Sequence, residues 1–271
     1  MLCGVVGVLR AQTTEEDVKA RLMGKPLYLR GFWTADNLKF DGAGMLLSKP
    51  SARMVTLSGF AVTDVMIDGS DLVLVGYRAA LVAKSDPGRG LERKTIAAWT
   101  PQSNAGSAEK MTIVIEGDAD HHFDLALDRI FSEGLADLAP SVPASWKCYA
   151  ASYFIEGDVA PDADSQVHRC VLHPMGNEQP PFLVGGSVAA PRVVSSKKPR
   201  LPAAAQELSI HGAPLVNLTI NKDGSPMRPQ MVRAVGAGMD DEALAAVSQY
   251  RFEPVPAPEA MDVEVSFSTQ P

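Results

Sequence analysis

"INKDGSPMRPQMVRAVGAGMDDEALAAVSQYRFEP", residues 220–254, decides the fold of the C-terminal part of this chain. It holds no cysteine, no histidine and no nucleophile beside a base, yet it is punctuated throughout. Just before it, Val216, Leu218 and Ile220 alternate with Asn217, Thr219 and Asn221, a strand with one dry face and one wet face. Asn221-Lys222-Asp223-Gly224-Ser225 reads as a hairpin turn, with Gly224 supplying positive φ. "MRPQMVRAV" is the return strand, and Pro229 within it requires an edge, a bulge or a strand start. "MDDEALAAVSQY" is a helix, with Asp240, Asp241 and Glu242 at its positive end. "RFEP" is a short extended exit.

Working outward, "MDVEVSFS" alternates Met261, Val263, Val265 and Phe267 with Asp262, Glu264 and Ser266, a half-buried terminal strand. A short helix starts at Pro202. The sum is a small α+β unit, an antiparallel sheet with one or two helices, too small to hide both its edges.

Upstream the pattern is β-rich. "TTEEDVKARLMG" is a short helix capped by Thr13 or Thr14. "LKFDGAGMLL" turns at Asp41-Gly42, and "FAVTDVMIDGSDLVLVGYRAALVA" is a hairpin around Asp68-Gly69-Ser70-Asp71. "RKTIAAW" and "KMTIVIEG" are further strands. "DADHHFDLALDRIFSEGLADL" is an amphipathic helix with Phe123, Leu127 and Ile130 on one side, and "SVPASWKCYAASYF" is another short helix. Trp33, Trp99 and Trp146 belong to the core of this N-terminal region. The expected organisation is a segment 1–12, a β-rich domain 13–155, a Gly- and Pro-rich connection 156–187, and the small domain 188–271.

Composition narrows the function. A net charge of −7 argues against nonspecific binding to nucleic acid or acidic lipid. No apolar run approaches the roughly 20 residues that cross a bilayer. Leu2 to Leu9 followed by Arg10-Ala11-Gln12 resembles the end of a secretory signal without its positive start. With that segment removed, Cys148 and Cys170 remain as a disulfide candidate, alternatively as two buried thiols. A bridge would close a loop worth roughly 3 kcal/mol. Two metal readings compete with plain structural ones. Asp118, Asp120, His121, His122 and Asp124 crowd a helix start, and His168, Cys170 and His173 supply three zinc-type ligands without a visible fourth. No nucleophile elbow, P-loop or dinucleotide fingerprint is present, so the chain reads as a non-enzyme with no cofactor and no metal. Lys197, Lys198 and Arg200 read as a solvated linker.

The spaced features from "PRLP" and "AQELSIHG" through residues 216–254 to "VEVSF" resemble the C-terminal domain of the TonB family of energy transducers. They cover residues 190–268, under a third of the chain. The resemblance implies a periplasmic domain, tied by a membrane anchor to a proton-driven motor. In that family the last strand pairs with the TonB box of outer-membrane transporters. Carried over, the pairing edge is Met261, Asp262, Val263, Glu264, Val265, Ser266, Phe267 and Ser268. The family's Pro-x-Tyr-Pro contact falls on Pro199, Arg200, Leu201 and Pro202, with leucine in place of tyrosine. A proline at Val265 interrupts capture if that N–H faces the partner. The expected partner is an outer-membrane TonB-dependent transporter or another envelope protein, with strand exchange between two copies as a further outcome. No membrane anchor and no Pro-rich spacer is visible in the chain. The alternatives are a soluble envelope scaffold or adaptor without motor coupling, and a metal-dependent hydrolase using the histidine clusters.

Overall fold

The run Asp71–Ala83 is apolar enough to bury both faces along half its length, and it becomes the central strand of the N-terminal sheet. The computed structural model describes residues 13–84, 90–96, 110–117, 122–143, 146–147, 150, 182–185 and 187–268. The fold is α+β. Strand β3 (Gly59–Asp68) and β4 (Asp71–Ala83) form the expected hairpin, with Gly69 at φ 64°. Around them lie β1 (Leu27–Leu29), β2 (Asn37–Phe40), β5 (Leu91–Thr95), β6 (Lys110–Ile115) and β7 (Phe131–Ser132). The sheet order is β2-β6-β4-β3-β1-β7, with β5 also on β4. Only β2 and β6 run parallel; the other pairs of this sheet are antiparallel.

Helix α1 (Glu15–Leu22) begins in a full capping box between Thr14 and Asp17. It packs Val18 and Leu22 on one face of the sheet, where α2 (Asp124–Ile130) adds Phe123, Leu127 and Ile130. The amphipathic segment is not one helix. It stops at Ile130, Phe131–Ser132 pairs with β1 as β7, and α3 (Leu135–Leu138) follows. Phe131 stacks on Phe60 at 6.0 Å between centroids, so ring packing and a free sheet edge outweigh helix continuation there.

The C-terminal sheet has the order β11-β10-β13-β8. Its strands are β8 (Phe182–Leu183), β10 (Leu215–Ile220), β11 (Pro226–Arg233) and β13 (Glu259–Glu264). Pro229 sits in β11, an edge strand whose pairing with β10 is shifted near Arg228, itself at φ 50°. Helix α4 (Ala203–Glu207) follows Pro202. Helix α5 (Met239–Val247) covers Val216, Leu218 and Ile220 with Ala243, Leu244 and Val247. The extended exit is β12 (Arg251–Phe252), which pairs with β9 (Val193–Ser195). Strands β8 and β9 were not expected. They are two and three residues long, too short to show a periodicity.

The two sheets meet. Strand β3 starts at Gly59 opposite Ala79, so β4 runs on past it. That overhang is paired by the segment before α5: Ala237 N–H donates to Leu81 O at 2.9 Å and Ala83 N–H to Val235 O at 3.2 Å. Tyr28, Leu81 and Trp146 share one buried cluster with Val216, Ala243 and Phe252. Trp146 therefore packs in a core that includes the C-terminal sheet, while Trp33 meets Phe40 edge-on within the N-terminal one. Trp99 lies outside the described residues.

Candidate strand-pairing edge

The question for β13 is which of its backbone groups are already used. Successive residues of a strand point their N–H and C=O to alternate sides. Val265 N–H donates to Pro214 O at 2.9 Å, on the β10 side. Val184 N–H donates to Ala260 O, also at 2.9 Å, on the opposite side. Odd-numbered residues thus face β10, and Ala260, Asp262, Glu264, Ser266 and Ser268 face outward. From Met261 to Phe267 burial follows the same parity: Met261, Val263 and Phe267 are half-buried, Val265 is fully buried, and Asp262, Glu264 and Ser266 are exposed, whereas Ala260, beside β8, is buried.

This corrects the role of Val265. Its N–H points inward, so a proline there damages the sheet before it touches any partner. The outward amides belong to Asp262 and Glu264, with Ser266 next in the same parity.

The outer edge is not open along its full length. At its start, β8 runs parallel to it, paired with Glu259 and Ala260. Four residues past the end of β13, Ser268 N–H donates to Pro199 O at 2.9 Å and Leu201 N–H to Ser268 O at 3.2 Å. The expected pairing edge therefore shortens from eight residues to an interval around Asp262, Glu264 and Ser266. Among the described residues, no backbone group meets that interval from outside. The structure joins the two expected contact segments, 199–202 and 261–268, through that single bridge at Ser268. The sequence could not show it, because the segment around Arg200 has no strand pattern of its own.

The side chains around the edge are mostly polar. Asp262 accepts from Asn217 Nδ2 at 2.7 Å, and Glu264 pairs with Arg233 at 2.8 Å. That ion pair is exposed on both sides and contributes little. Pro199 is buried and Leu201 half-buried; Arg200 is exposed. Leu201, in the tyrosine position, packs against the buried cluster that includes Leu57, Ala204 and Met239. An open cleft of about 340 Å³ lies here, lined by Lys197, Lys198, Arg200, Leu201, Glu242 and Gln249.

The acids at the start of α5 do more than face the helix dipole. Asp240 is fully buried and accepts Val235 N–H and Gly236 N–H at 2.8 Å each. Asp241 reaches the 3-10 turn Val55–Leu57 that leads into β3, accepting Thr56 Oγ1 at 2.7 Å and Val55 N–H at 3.2 Å. Thr56 Oγ1 in turn accepts Gly238 N–H at 2.7 Å, serving a helix end that has no side-chain cap of its own. Burial pushes the Asp240 carboxyl up to about 7 and that of Asp241 up to about 6, against the bonds they accept. Both values lie above those of the unfolded chain, so folding takes up protons. Their contribution is fully present below the ordinary aspartate range and is lost as pH rises through about 6 to 7. The expected result is an unfolding free energy lower at pH 8 than at pH 5 by on the order of 3 kcal/mol. Asp240→Asn should flatten most of that slope in urea titrations at the two pH values. A wild-type slope of opposite sign would refute the assignment.

Cys148, Cys170, His168, His173, Asp118, Asp120 and His121 lie outside the described residues. Among the described residues, no three His, Cys, Asp or Glu side chains gather as metal ligands. In the same set, no helix is long and apolar enough to cross a membrane.

Compared with known families, residues 197–269 match the one described as Gram-negative bacterial TonB protein C-terminal. The match takes in Pro199–Pro202, α4, β10, β11, α5, β12 and β13, and leaves β8 and β9 before it. No curated protein sequence matches the chain.

Proposed function

We propose, on the premise that residues 197–269 form a TonB C-terminal domain, that this chain is a non-enzymatic protein of the Gram-negative envelope that holds a partner polypeptide by strand pairing. The site is the outer edge of β13. The observation that carries this reading is the interval Asp262–Ser266, whose outward backbone groups have no protein partner among the described residues. Main-chain bonds there would supply affinity, and the side chains flanking the interval would supply selectivity. The partner is an N-terminal segment of an outer-membrane transporter, or of another envelope protein, met in the periplasm. Because the C-terminal sheet shares its core with the N-terminal one, a captured strand is held by the whole described fold.

The test is a calorimetric titration of the full chain with synthetic N-terminal peptides of transporters from the same genome. Saturable binding is expected. Glu264→Pro removes one outward donor while leaving the inward ladder to β10 in place, and should weaken capture at least tenfold, about 1.4 kcal/mol. Glu264→Gln should bind like the wild type, since the charge is not the contact. A flat signal at millimolar peptide, or equal affinity for the proline variant, would sink the reading.

A further inference from the structure

The outer edge of β13 carries two caps, and they are not equally held. At the far end, the Pro199–Leu201 cap is fixed. Pro199 is buried, two backbone bonds bracket Ser268, and α4 follows at once. At the near end, β8 is two residues long. Phe182 N–H donates to Pro258 O and Val184 N–H to Ala260 O, both at 2.9 Å. Its side chains gain little from this seat: Phe182 remains 61% exposed and Leu183 53% exposed. Directly after it, Gly185 and Val188 exchange backbone bonds at 2.9 and 3.0 Å, a tight turn that stops β8 short of Asp262. The segment also lies before residues 197–269, the part of the chain that matches the TonB domain family.

We propose that Phe182–Val184 is an internal occupant of the partner edge, a strand that a guest polypeptide displaces to use the first part of β13. This rests on the strand-pairing reading of that edge. With β8 seated, the outward groups left without a partner among the described residues of this interval are those of Asp262, Glu264 and Ser266. With β8 released, Ala260 joins them and the pairing lengthens toward Pro258. A guest long enough to need those groups competes with a segment already tethered beside them, at the high effective concentration of a short link. Its apparent affinity is scaled by the fraction of molecules in which β8 is open. A backbone-bonded strand that buries little apolar surface belongs to the readily opened part of a structure. In the resting protein the same cap shields a sheet edge that would otherwise template association between copies.

Two prolines separate the bond from the segment. Val184→Pro removes the donor to Ala260 O. Leu183→Pro places the same residue one position earlier, where alternation turns the N–H to solvent and both bonds to β13 survive. The probe is a synthetic peptide with the chain's own sequence of residues 180–187, PPFLVGGS, titrated into full-length wild type and both variants. Phe182→Pro, which removes the other donor, is the second variant should Val184→Pro fail to fold. The expected result is binding at least tenfold tighter to Val184→Pro than to the wild type, with Leu183→Pro at the wild-type level. Amide exchange at Asp262 should slow in the Val184→Pro complex. Equal affinity for wild type and Val184→Pro, equal tightening by both prolines, or no binding to Val184→Pro at millimolar peptide would each overturn the proposal. Transporter peptides that fail on every form, while the chain's own peptide binds Val184→Pro, would remove the transporter as partner and leave the displaceable strand standing.

Discussion

Replacing Arg78 with methionine should lower the unfolding free energy by about 3–5 kcal/mol, a large part of the roughly 5–15 kcal/mol that holds a domain together. Arg78 is 1% exposed, in the middle of β4. Its Nη1 donates to Leu57 O at 2.7 Å and to Trp33 O at 3.0 Å, and Nη2 donates to Ala35 O at 3.2 Å. The Trp33 and Ala35 carbonyls belong to the segment before β2, and that of Leu57 ends the 3-10 turn Val55–Leu57 just before β3. Methionine would fill much of the volume but supply no donor. Each carbonyl left without a bond in the interior then costs about 1–3 kcal/mol, partly offset because a buried charge is no longer desolvated. Urea denaturation of wild type, Arg78→Met and Arg78→Lys measures the effect. Lysine should recover part of the loss, since an ammonium reaches one of the carbonyls but lacks the planar fork. A midpoint for Arg78→Met within error of the wild type would show that the carbonyls find other donors.

The second large effect is expected at the seam between the sheets. Gly236→Ala should cost about 3–4 kcal/mol, combining strain at positive φ with overpacking. Gly236 has φ 100°, and a Cβ there would lie 2.4 Å from Leu81 O and 2.6 Å from Val82 Cα. Both neighbours are backbone of the β4 overhang, so nothing flexible can give way. Relief requires pulling the segment Val235–Ala237 off β4, with loss of the Ala237 N–H bond to Leu81 O and displacement of the Asp240 cap on Gly236 N–H. Gly69→Ala is the matched control. Gly69 also has positive φ, 64°, but a Cβ there meets nothing within 4 Å, so only the conformational cost of about 1 kcal/mol remains. Thermal or urea unfolding of the two variants separates steric conflict at the seam from turn strain. Equal losses for both would mean that the seam relaxes and that the two sheets are less firmly joined than the bonds between them indicate.

Much of the local structure was legible in the sequence for one reason: its causes are local. Alternation at Val216, Leu218 and Ile220 states which face of β10 is dry. Thr13 or Thr14 ahead of acidic residues states where α1 begins, and Gly69-Ser70 between two apolar runs states the β3–β4 hairpin. The missing N–H of Pro229 limited it to an edge, a bulge or a strand start, and it lies in the edge strand β11 beside a shift in register. The spaced features from residue 190 to 268 were enough to suggest the domain that the family match over residues 197–269 supports.

What lay beyond the sequence concerns partners far apart in the chain. Asp240 and Asp241 read as acids at a helix start, and they are; only the packed structure buries Asp240 and sets Asp241 against Thr56. The terminal strand was legible as a strand, but which of its amides face outward depends on which side β10 occupies, and that turns the outward role from Val265 to Asp262 and Glu264. The caps at Phe182–Val184 and Pro199–Leu201 could not be read at all. Pairing of so few residues leaves no period, and its stability comes from a neighbour brought close by the rest of the fold. The sequence by itself determined the longer elements, because side-chain alternation, capping and turn chemistry act within a few residues, while short strands such as β7, β8 and β9 form only against a neighbour. The tertiary structure decided which backbone groups remain unpaired, because hydrogen-bond satisfaction is settled only when distant segments have taken their places.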